Sequence, residues 1–401
     1  MAQNGFVGAR IARMKDMLAG HVASGQVPGL VTLVSRHDEV QVAAIGAHMP
    51  GDIDAIGNRA MQRDTIFRIA SMTKPIIGAA TMLLIEECKL RLDDSVDDLL
   101  PELSNRRVLT RLDSPLDDTV AAHRSITVRD LLTFRLGYGF VLAPASYPIQ
   151  QAIAAAGLAP GPIAPDLTPD EYLHRLGALP LAHQPGEQWL YHTGSEVLGI
   201  LIARASGQSL GDFLRERLFA PLGMHDTGFH VPAEKLHRLP PTHTQGASGA
   251  LAIHDAQNGR WATPPTFLSG GGGLVSTVDD YFAFCRMLLR KGKVDSERIL
   301  SPAAVALMTV NHLTPDQQSA AAMILEGNYG WGFGVAVCTR RDALCDSPGR
   351  FGWYGGMGTA GFTDPAEDFI GIVMTQRLMD SPAPPKVFQD FWTTAYQAFG
   401  D

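Results

Sequence analysis

Ser71-Met72-Thr73-Lys74 opens a long apolar stretch that continues to about Cys88. The three-residue spacing puts the serine hydroxyl and the lysine amine on one face of a helix. Serine is favoured where a helix begins, and the exposed backbone N–H groups there favour developing negative charge. The stretch therefore predicts a helix over about 71–88 that holds a base beside a nucleophile.

Two interpretations of this S-x-x-K sequence are open. In the simpler one, Ser71 caps a helix and Lys74 is solvated. In the other interpretation, Lys74 is a buried base for Ser71, and the following residues favour it because a helix that is apolar nearly all round is buried. Burial lowers the pKa of an amine towards that of a general base. This is the only S-x-x-K in the chain, and the apolar residues after it are Ile76, Ile77, Ala79, Ala80, Met82, Leu83 and Leu84.

Two further segments carry candidate site residues. Tyr191 follows the Pro185-Gly186 turn and precedes a helix predicted to begin near Ser195, so we expect it on a loop. Its simpler interpretation is a packed ring with a hydrated hydroxyl. Residues 351–359 form a glycine-dense edge where a substrate could approach the backbone closely, or simply a tight turn between strands.

The order of these three segments resembles that of class C β-lactamases, DD-peptidases and family VIII carboxylesterases. In those proteins an S-x-x-K is followed by a motif tyrosine, here about 120 residues later, and by a K-T-G-like triplet near the C-terminus. The resemblance covers nearly the whole chain and is closest in motif to the family VIII esterases. Flanking stretches that also resemble the family are 91–94, 100–103, 126–132, 220–224 and 269–274.

The resemblance implies a role for each matching position. Ser71 matches the acylated nucleophile, and Lys74 and Tyr191 match the groups that activate it, although which of the two is the base stays open. The backbone N–H groups of Ser71 and Gly356 match the family's oxyanion hole, which stabilises the tetrahedral intermediate. The residues implied to bind substrate are Trp353, Tyr354, Gly355, His192 and Thr193.

Two departures from the family pattern bear on the substrate. Trp353 stands where β-lactamases and DD-peptidases have the lysine that helps hold a substrate carboxylate. Tyr191 is followed by His192-Thr193 instead of Ser-Asn. Because tryptophan offers apolar area and no cation, the sequence favours uncharged esters. A β-lactamase, a D-amino-acid peptidase, an acyltransferase with the same acyl-enzyme and a non-catalytic binding protein stay as alternatives.

Strand and helix patterns predict an α/β (α+β) fold, and the resemblance implies that this fold is β-lactamase-like with an antiparallel sheet. A helix over 9–24 and a hairpin over 30–45 precede a mostly helical middle, and short strands return near the C-terminus before a last helix. We expect an antiparallel sheet flanked by helices, with a helical insertion. The predicted domains are 1–70 with 300–401 and, inserted between them, 71–299, with the active site in the cleft.

Two other sequence patterns could mark a different kind of active site. Gly207-Gln208-Ser209-Leu210-Gly211 matches the G-x-S-x-G of α/β-hydrolases, but the residues before it are helical and Ser209 is predicted to cap the next helix. The histidines show no H-E-x-x-H spacing, and His192, His243 and His254 are predicted in loops without a carboxylate cluster, so we expect no metal. The glycine run 270–273 is predicted to form a wall of the cleft.

Composition excludes several other classes of protein. The 401 residues carry a net charge of −8, which offers no basic face to nucleic acid. No segment has the apolar length of a membrane span, and charges interrupt the first 27 residues where a signal peptide would be apolar. We expect a cytoplasmic enzyme with four free cysteines, no cofactor and a small-molecule ester as its partner. Oligomeric state is left open.

Overall fold

The computed structural model describes residues 5–51, 58–141, 146–246 and 249–400. Its strands are β1 Gly29–Arg36, β2 Glu39–Gly46, β3 Phe67–Arg68, β4 Arg107–Leu109, β5 Thr119–Ala121, β6 Thr242–Gln245, β7 Leu251–Asp255, β8 Val275–Ser276, β9 Lys293–Val294, β10 Glu297–Arg298, β11 Tyr329–Trp331, β12 Ala336–Cys338, β13 Phe351–Gly355, β14 Thr359–Asp364 and β15 Phe369–Thr375. Its α-helices are α1 Gly8–Ala23, α2 Thr73–Glu86, α3 Val128–Leu132, α4 Pro148–Ala155, α5 Pro169–Ala178, α6 Thr193–Ser206, α7 Leu210–Leu214, α8 Ala220–Leu222, α9 Val278–Leu289, α10 Pro302–Met308, α11 Pro315–Ala320, α12 Ala322–Leu325 and α13 Lys386–Gln397.

A seven-stranded sheet joins the two ends of the chain. Its order is β11-β12-β13-β14-β15-β1-β2, and every neighbouring pair is antiparallel. The predicted hairpin forms β1 and β2, and β15 pairs with β1 in a register that sets Leu33 opposite Ile372. Both of these central strands are buried almost throughout, because helices cover both faces of the sheet. The predicted antiparallel sheet flanked by helices is confirmed.

Helices α1 and α13 cover one face of the sheet. The buried side chains of α1 recur every three to four residues, which places one apolar stripe against the sheet and α13. A Cβ added at Gly371 of β15 would lie 2.4 Å from the Trp392 ring, so glycine is what lets α13 pack this closely. The helix residues buried in this layer include Ile11, Met14, Leu18, Phe388, Phe391 and Trp392.

Helices α2 and α9 lie on the opposite side of the sheet. Helix α2 is buried from Thr73 to Leu84 and packs against α6 and α10. Helix α9 packs against β14 and β15, where a Cβ added at Gly361 would lie 2.6 Å from the ring of Tyr281. Although α9 falls inside the predicted insertion 71–299, it therefore contacts the sheet directly. The two-domain division stays a prediction.

Several local expectations are corrected by the structure. The helix predicted from Ser71 begins instead with a 3-10 turn over 70–72, and α2 starts at Thr73. His243 and His254 lie in strands β6 and β7, not in loops. Within the described ranges, no helix combines the length and the apolar character that crossing a membrane requires. The cytoplasmic location stays a prediction.

Candidate active site

Ser71 lies on a tight turn between β3 and α2. Ala70, the residue before it, has a positive φ of 43°, a left-handed backbone conformation that is uncommon for a residue with a side chain. The turn is fixed from both sides, because the Ile69 N–H donates to Leu274 O at 3.0 Å and the Tyr281 hydroxyl donates to Met72 O at 3.2 Å. Strain held in this way by surrounding contacts is typical of functional sites. The Ser71 side chain faces a cleft.

Lys74 is completely buried beneath Ser71. Its Nζ lies 2.8 Å from Ser71 Oγ, 2.6 Å from Gly271 O and 3.2 Å from His192 Nδ1. Burial lowers the pKa of Lys74 to about 7, although the negative charge of Glu196 acts in the opposite direction. The lysine is therefore positioned to exchange a proton with Ser71 near neutral pH.

Tyr191 lies beside the same two residues. Lys74 Nζ is 4.7 Å from the centroid of the Tyr191 ring, and the Trp353 indole N–H donates to the Tyr191 hydroxyl at 2.5 Å. Burial raises the pKa of Tyr191 to about 12, even though its hydrogen bonds with Ser71 and Trp353 lower it. At neutral pH the phenol is protonated, so Tyr191 is available as a proton donor.

An aromatic cluster fixes the orientation of Tyr191. The ring centroids of Phe134, Trp189 and Trp353 lie 5.8, 5.6 and 5.6 Å from that of Tyr191. Trp331 packs edge-on against Trp353 at 4.8 Å. Such pairs contribute roughly 0.5 to 1.5 kcal/mol each beyond the area they bury, so the hydroxyl is held by packing as well as by its hydrogen bond.

The end of β13 brings Gly356 to Ser71. A Cβ added at Gly355 would lie 2.2 Å from Ile69 O, and the Thr359 hydroxyl donates to the same carbonyl at 3.2 Å. The strand thus runs directly against the turn that carries Ser71, and Ser71 and Gly356 line one cleft. Their role as an oxyanion hole stays a prediction.

Glu196 is a candidate site residue that the sequence reasoning missed. Its buried carboxylate accepts hydrogen bonds from His192 Nε2 at 3.0 Å, Ser269 Oγ at 2.7 Å and the Gly271 N–H at 3.1 Å. Burial acts to raise the pKa of Glu196, but the hydrogen bonds outweigh it and the pKa is lowered. The available signal was the i,i+4 spacing of His192 and Glu196 across the start of an apolar helix.

His192 differs from its predicted setting in two ways. A carboxylate does lie beside it, and its two ring nitrogens face Lys74 and Glu196. Burial lowers the pKa of His192, and the nearby Lys74 lowers it further, which favours the neutral ring. With Nε2–H donating to Glu196, the Nδ1 lone pair faces Lys74.

The backbone at His192 is strained. Its φ of 86° and ψ of −62° place it at the centre of a γ-turn, in which the Thr193 N–H approaches Tyr191 O at 3.3 Å. A backbone conformation this rare costs on the order of 1 to 3 kcal/mol and persists only where its surroundings enforce it. The turn lets these two neighbouring residues contact Lys74 together, the Tyr191 ring at 4.7 Å and His192 Nδ1 at 3.2 Å from Nζ.

The glycine run 270–273 packs against α6. A Cβ added at Gly270 would lie 2.3 Å from Ser195 O, and one at Gly271 would lie 2.6 Å from Glu196 Oε1. Only glycine permits this approach, which delivers the Gly271 carbonyl to Lys74. The run supports the lysine, but none of its residues lines the cleft, so the prediction that it forms a wall of the cleft is wrong.

The cleft above Ser71 has a volume of about 270 Å³, and none of the described residues that line it carries a charged side chain. His192, Trp353 and Tyr354 line it as predicted, whereas Thr193 and Gly355 do not. Thr193 is buried in the first turn of α6. The lining is completed by Ser71, Phe140, Pro160, Gly161, Pro162, Tyr191, Ile324, Gly356, Leu378, Met379, Ser381 and Pro382.

The rival sites take ordinary structural positions. Ser209 caps α7, as predicted: its side chain accepts from the Asp212 N–H at 3.0 Å, and the element before it is helix α6. Among the residues that the structure describes, no group of three or more His, Cys, Asp or Glu side chains is arranged to hold a metal ion.

An antiparallel sheet from both chain ends and a serine beside a buried lysine and a tyrosine define a β-lactamase-like serine hydrolase. The chain belongs to the Beta-lactamase family, whose sequence profile matches residues 14–387. The resemblance identified from the motifs is thereby confirmed.

Individual relatives agree with this assignment. The chain is 39% identical to Protein Rv1367c of Mycobacterium tuberculosis over 89% of this chain and 88% of that protein. It is 28% identical to Esterase EstB of Burkholderia gladioli, over 93% and 92% of the two chains. The structure of EstCE1, described as a hydrolase with promiscuous acyltransferase activity, matches with a TM-score of 0.79 at 24% identity, over 97% of this chain and 99% of that one. This last similarity shows the fold.

Proposed function

We propose that the protein hydrolyses uncharged carboxylic esters through an acyl-enzyme on Ser71. The observation that carries this proposal is the Lys74 Nζ to Ser71 Oγ contact of 2.8 Å at the base of a cleft whose described lining residues are uncharged. A buried lysine with a pKa of about 7 is a competent base at neutral pH, and the uncharged lining suits apolar acyl and alkyl groups. The similarity to Esterase EstB supports the same reaction class.

The geometry supports a division of work between Lys74 and Tyr191. In acylation, Lys74 takes the Ser71 proton while Oγ attacks the ester carbonyl carbon, and the carbonyl oxygen becomes an oxyanion facing the Ser71 and Gly356 backbone. When the intermediate collapses, the alkoxide leaves as an alcohol with a proton from the Tyr191 hydroxyl. The proton held on Lys74 then restores Tyr191. With pKa values of about 7 and about 12, we assign Lys74 as base and Tyr191 as donor.

Deacylation repeats these steps with water. Water gives a proton to Lys74 as its oxygen attacks the acyl carbon, and the departing Ser71 oxygen takes that proton back. An alcohol in place of water would give acyl transfer through the same residues. Turnover of a panel of neutral esters, with and without added alcohols, separates hydrolysis from acyl transfer. Hydrolysis predicts free acid as the main product, and a new ester as the main product would contradict the proposed hydrolysis.

The base assignment predicts the pH dependence of kcat/KM. Because Lys74 must be neutral to accept the Ser71 proton, and its pKa is about 7, activity should rise through neutral pH and level off above about pH 8. The measurement is a profile of kcat/KM for one neutral ester whose own ionisation does not change in this range. A flat profile between about pH 5 and 9 would show that no such base operates.

Trp353 predicts the class of substrate. Tryptophan presents an apolar ring and one N–H, and that N–H is already engaged by Tyr191, so a substrate carboxylate finds no cationic partner here. A charge-assisted hydrogen bond is worth roughly 1.5 to 3 kcal/mol, or about one to two decades in kcat/KM. Short neutral esters should be turned over well and penicillins or cephalosporins poorly.

The substitution Trp353→Lys tests this assignment. It should raise the ratio of activity on carboxylate-bearing esters to activity on matched neutral esters. Trp353→Phe is the matched control, because it also removes the indole N–H but adds no charge, and it should leave that ratio unchanged. If the unmodified protein hydrolyses a β-lactam as efficiently as its best ester, this role of Trp353 is wrong.

A further inference from the structure

The surroundings of Lys74 match the hydrogen-bonding needs of a neutral amine. A neutral amine has two N–H groups and one lone pair, and Lys74 Nζ has three partners. Gly271 O can only accept. Because Glu196 takes the Nε2–H of His192, the Nδ1 of His192 also accepts. With both N–H groups used in this way, the remaining lone pair is left for the Ser71 hydroxyl at 2.8 Å.

We propose that His192 and Glu196 are positioning residues for Lys74, with Glu196 holding His192 so that it directs the lysine lone pair at Ser71. The proposal rests on the proposed function, since it assigns how the base of that reaction is oriented. His192 acts by holding the Lys74 amine, and Glu196 acts through His192 and through the Gly271 loop.

The buried carboxylate gives the pair a second effect. Once Lys74 has taken the Ser71 proton, the ammonium can donate to Ser71 Oγ, Gly271 O and His192 Nδ1 without moving. Glu196 lies one imidazole ring away, so its charge balances the cation that forms. The same Glu196 also accepts the Gly271 N–H, which fixes the loop that supplies the other acceptor of Lys74.

Two observations separate this role from a substrate contact. Although the His192 ring borders the cleft, both of its nitrogens are engaged by buried groups, which leaves no free polar atom for a substrate. The second observation is the γ-turn at His192, immediately before α6. With the ordinary backbone conformation of a helix start, the His192 side chain would take a different position.

The titratable groups around Lys74 come from two parts of the chain, residues 191–196 and α5. Tyr191 and His192 immediately precede α6, and Glu196 lies in its first turn. Tyr172 of α5 lies near enough to Glu196 for the pKa of its phenol to respond to that charge. Loop 269–273 contributes a hydroxyl and backbone groups but no ionisable side chain. Glu196 is therefore the charged group that acts on the basicity of Lys74.

The experiment compares pH profiles of four variants of the full chain. His192→Asn keeps an acceptor near the Nδ1 position, His192→Ala removes it, and Glu196→Gln removes the charge but keeps the shape. His183→Asn is the matched control, because His183 also forms an i,i+4 pair with a glutamate, Glu187, but lies outside the cleft. The readouts are kcat/KM for a neutral ester and the rate at which a fluorophosphonate labels Ser71.

We expect His192→Ala to lower the plateau of both rates by roughly 100-fold and His192→Asn by roughly tenfold, with His183→Asn unchanged. The acidic limb is the part of the pH profile in which the rate rises with pH as Lys74 loses its proton. Glu196→Gln should move this limb to lower pH by about one unit, because loss of the negative charge makes Lys74 easier to deprotonate. A merely structural role would lower the plateau without moving the limb.

The experiment distinguishes failure of the positioning proposal from failure of the proposed function. If the unmodified protein labels at Ser71 and shows an acidic limb, but the His192 variants stay within twofold of it and Glu196→Gln leaves the limb in place, the positioning proposal is overturned. If the unmodified protein shows neither labelling nor a limb, the proposed function itself fails. Circular dichroism and thermal unfolding of each variant establish that the folded protein was measured.

Discussion

Ser71→Ala should lower kcat for a neutral ester by roughly 10⁴-fold or more, because it removes the oxygen that forms the acyl-enzyme. The Lys74 amine would then face a methyl group, with no other hydroxyl among its hydrogen-bond partners. Binding of the ester should be affected little, since the cleft lining is otherwise intact. Steady-state kinetics over a range of ester concentrations would separate kcat from KM.

Ser209→Ala is the matched control for this prediction. The Ser209 hydroxyl only caps α7 and bonds Asp212, so its loss should cost about 1 kcal/mol of stability and leave kcat within about twofold. Intact-mass measurement after fluorophosphonate treatment should show a single adduct in the unmodified protein and in Ser209→Ala, located by digestion on the peptide that contains Ser71. An adduct on another residue, or full activity in Ser71→Ala, would remove Ser71 from the mechanism.

The parts of the site set by local sequence could be predicted. The spacing of Ser71 and Lys74 fixes their contact within one turn, and the apolar stretch after them fixes the burial of the lysine. The strands were recognisable for the same reason, since apolar runs such as 369–375 lie buried between two helical layers. Tyr191 had no local signal of its own, and only the motif order of a resembling family pointed to it.

The parts set by close approach of distant segments could not be predicted. The Gly271 carbonyl that accepts from Lys74 lies 197 residues away along the chain. A run of glycines alone does not indicate which part of the backbone it will pack against. The γ-turn at His192 is imposed by tertiary packing against the preference of a residue with a side chain. The family resemblance implied substrate binding for His192, and no local pattern indicated that Glu196 would hold it beside Lys74.

Lys74→Met should lower kcat by roughly 10³-fold while leaving the protein folded. Methionine is close to lysine in length and fills the same buried space, so the substitution removes the base and keeps the packing. Ester kinetics and fluorophosphonate labelling of Ser71 should slow together, because both reactions need the serine proton to be removed. Retention of more than about a tenth of the activity would assign the base to another group.

The same substitution should make the protein more stable at pH 6. A pKa lowered from 10.5 to about 7 by burial means that the charged lysine disfavours the folded state by about 5 kcal/mol at and below pH 6. Methionine avoids this cost but leaves the Gly271 carbonyl and His192 Nδ1 without a donor, at roughly 1 to 3 kcal/mol. We expect a net gain of about 2 kcal/mol in the free energy of unfolding, measured by chemical denaturation.

The sign of this difference should depend on pH. Between about pH 7 and 10.5 the folded protein has released the Lys74 proton while the unfolded chain still binds one, so the stability of the unmodified protein rises with pH across this window. Lys74→Met lacks that titration, and its advantage should shrink and then reverse as pH increases. If the stability difference between the two proteins were the same at pH 6 and pH 9.5, Lys74 would titrate normally in the folded protein. It could not then be the buried base on which the reaction depends.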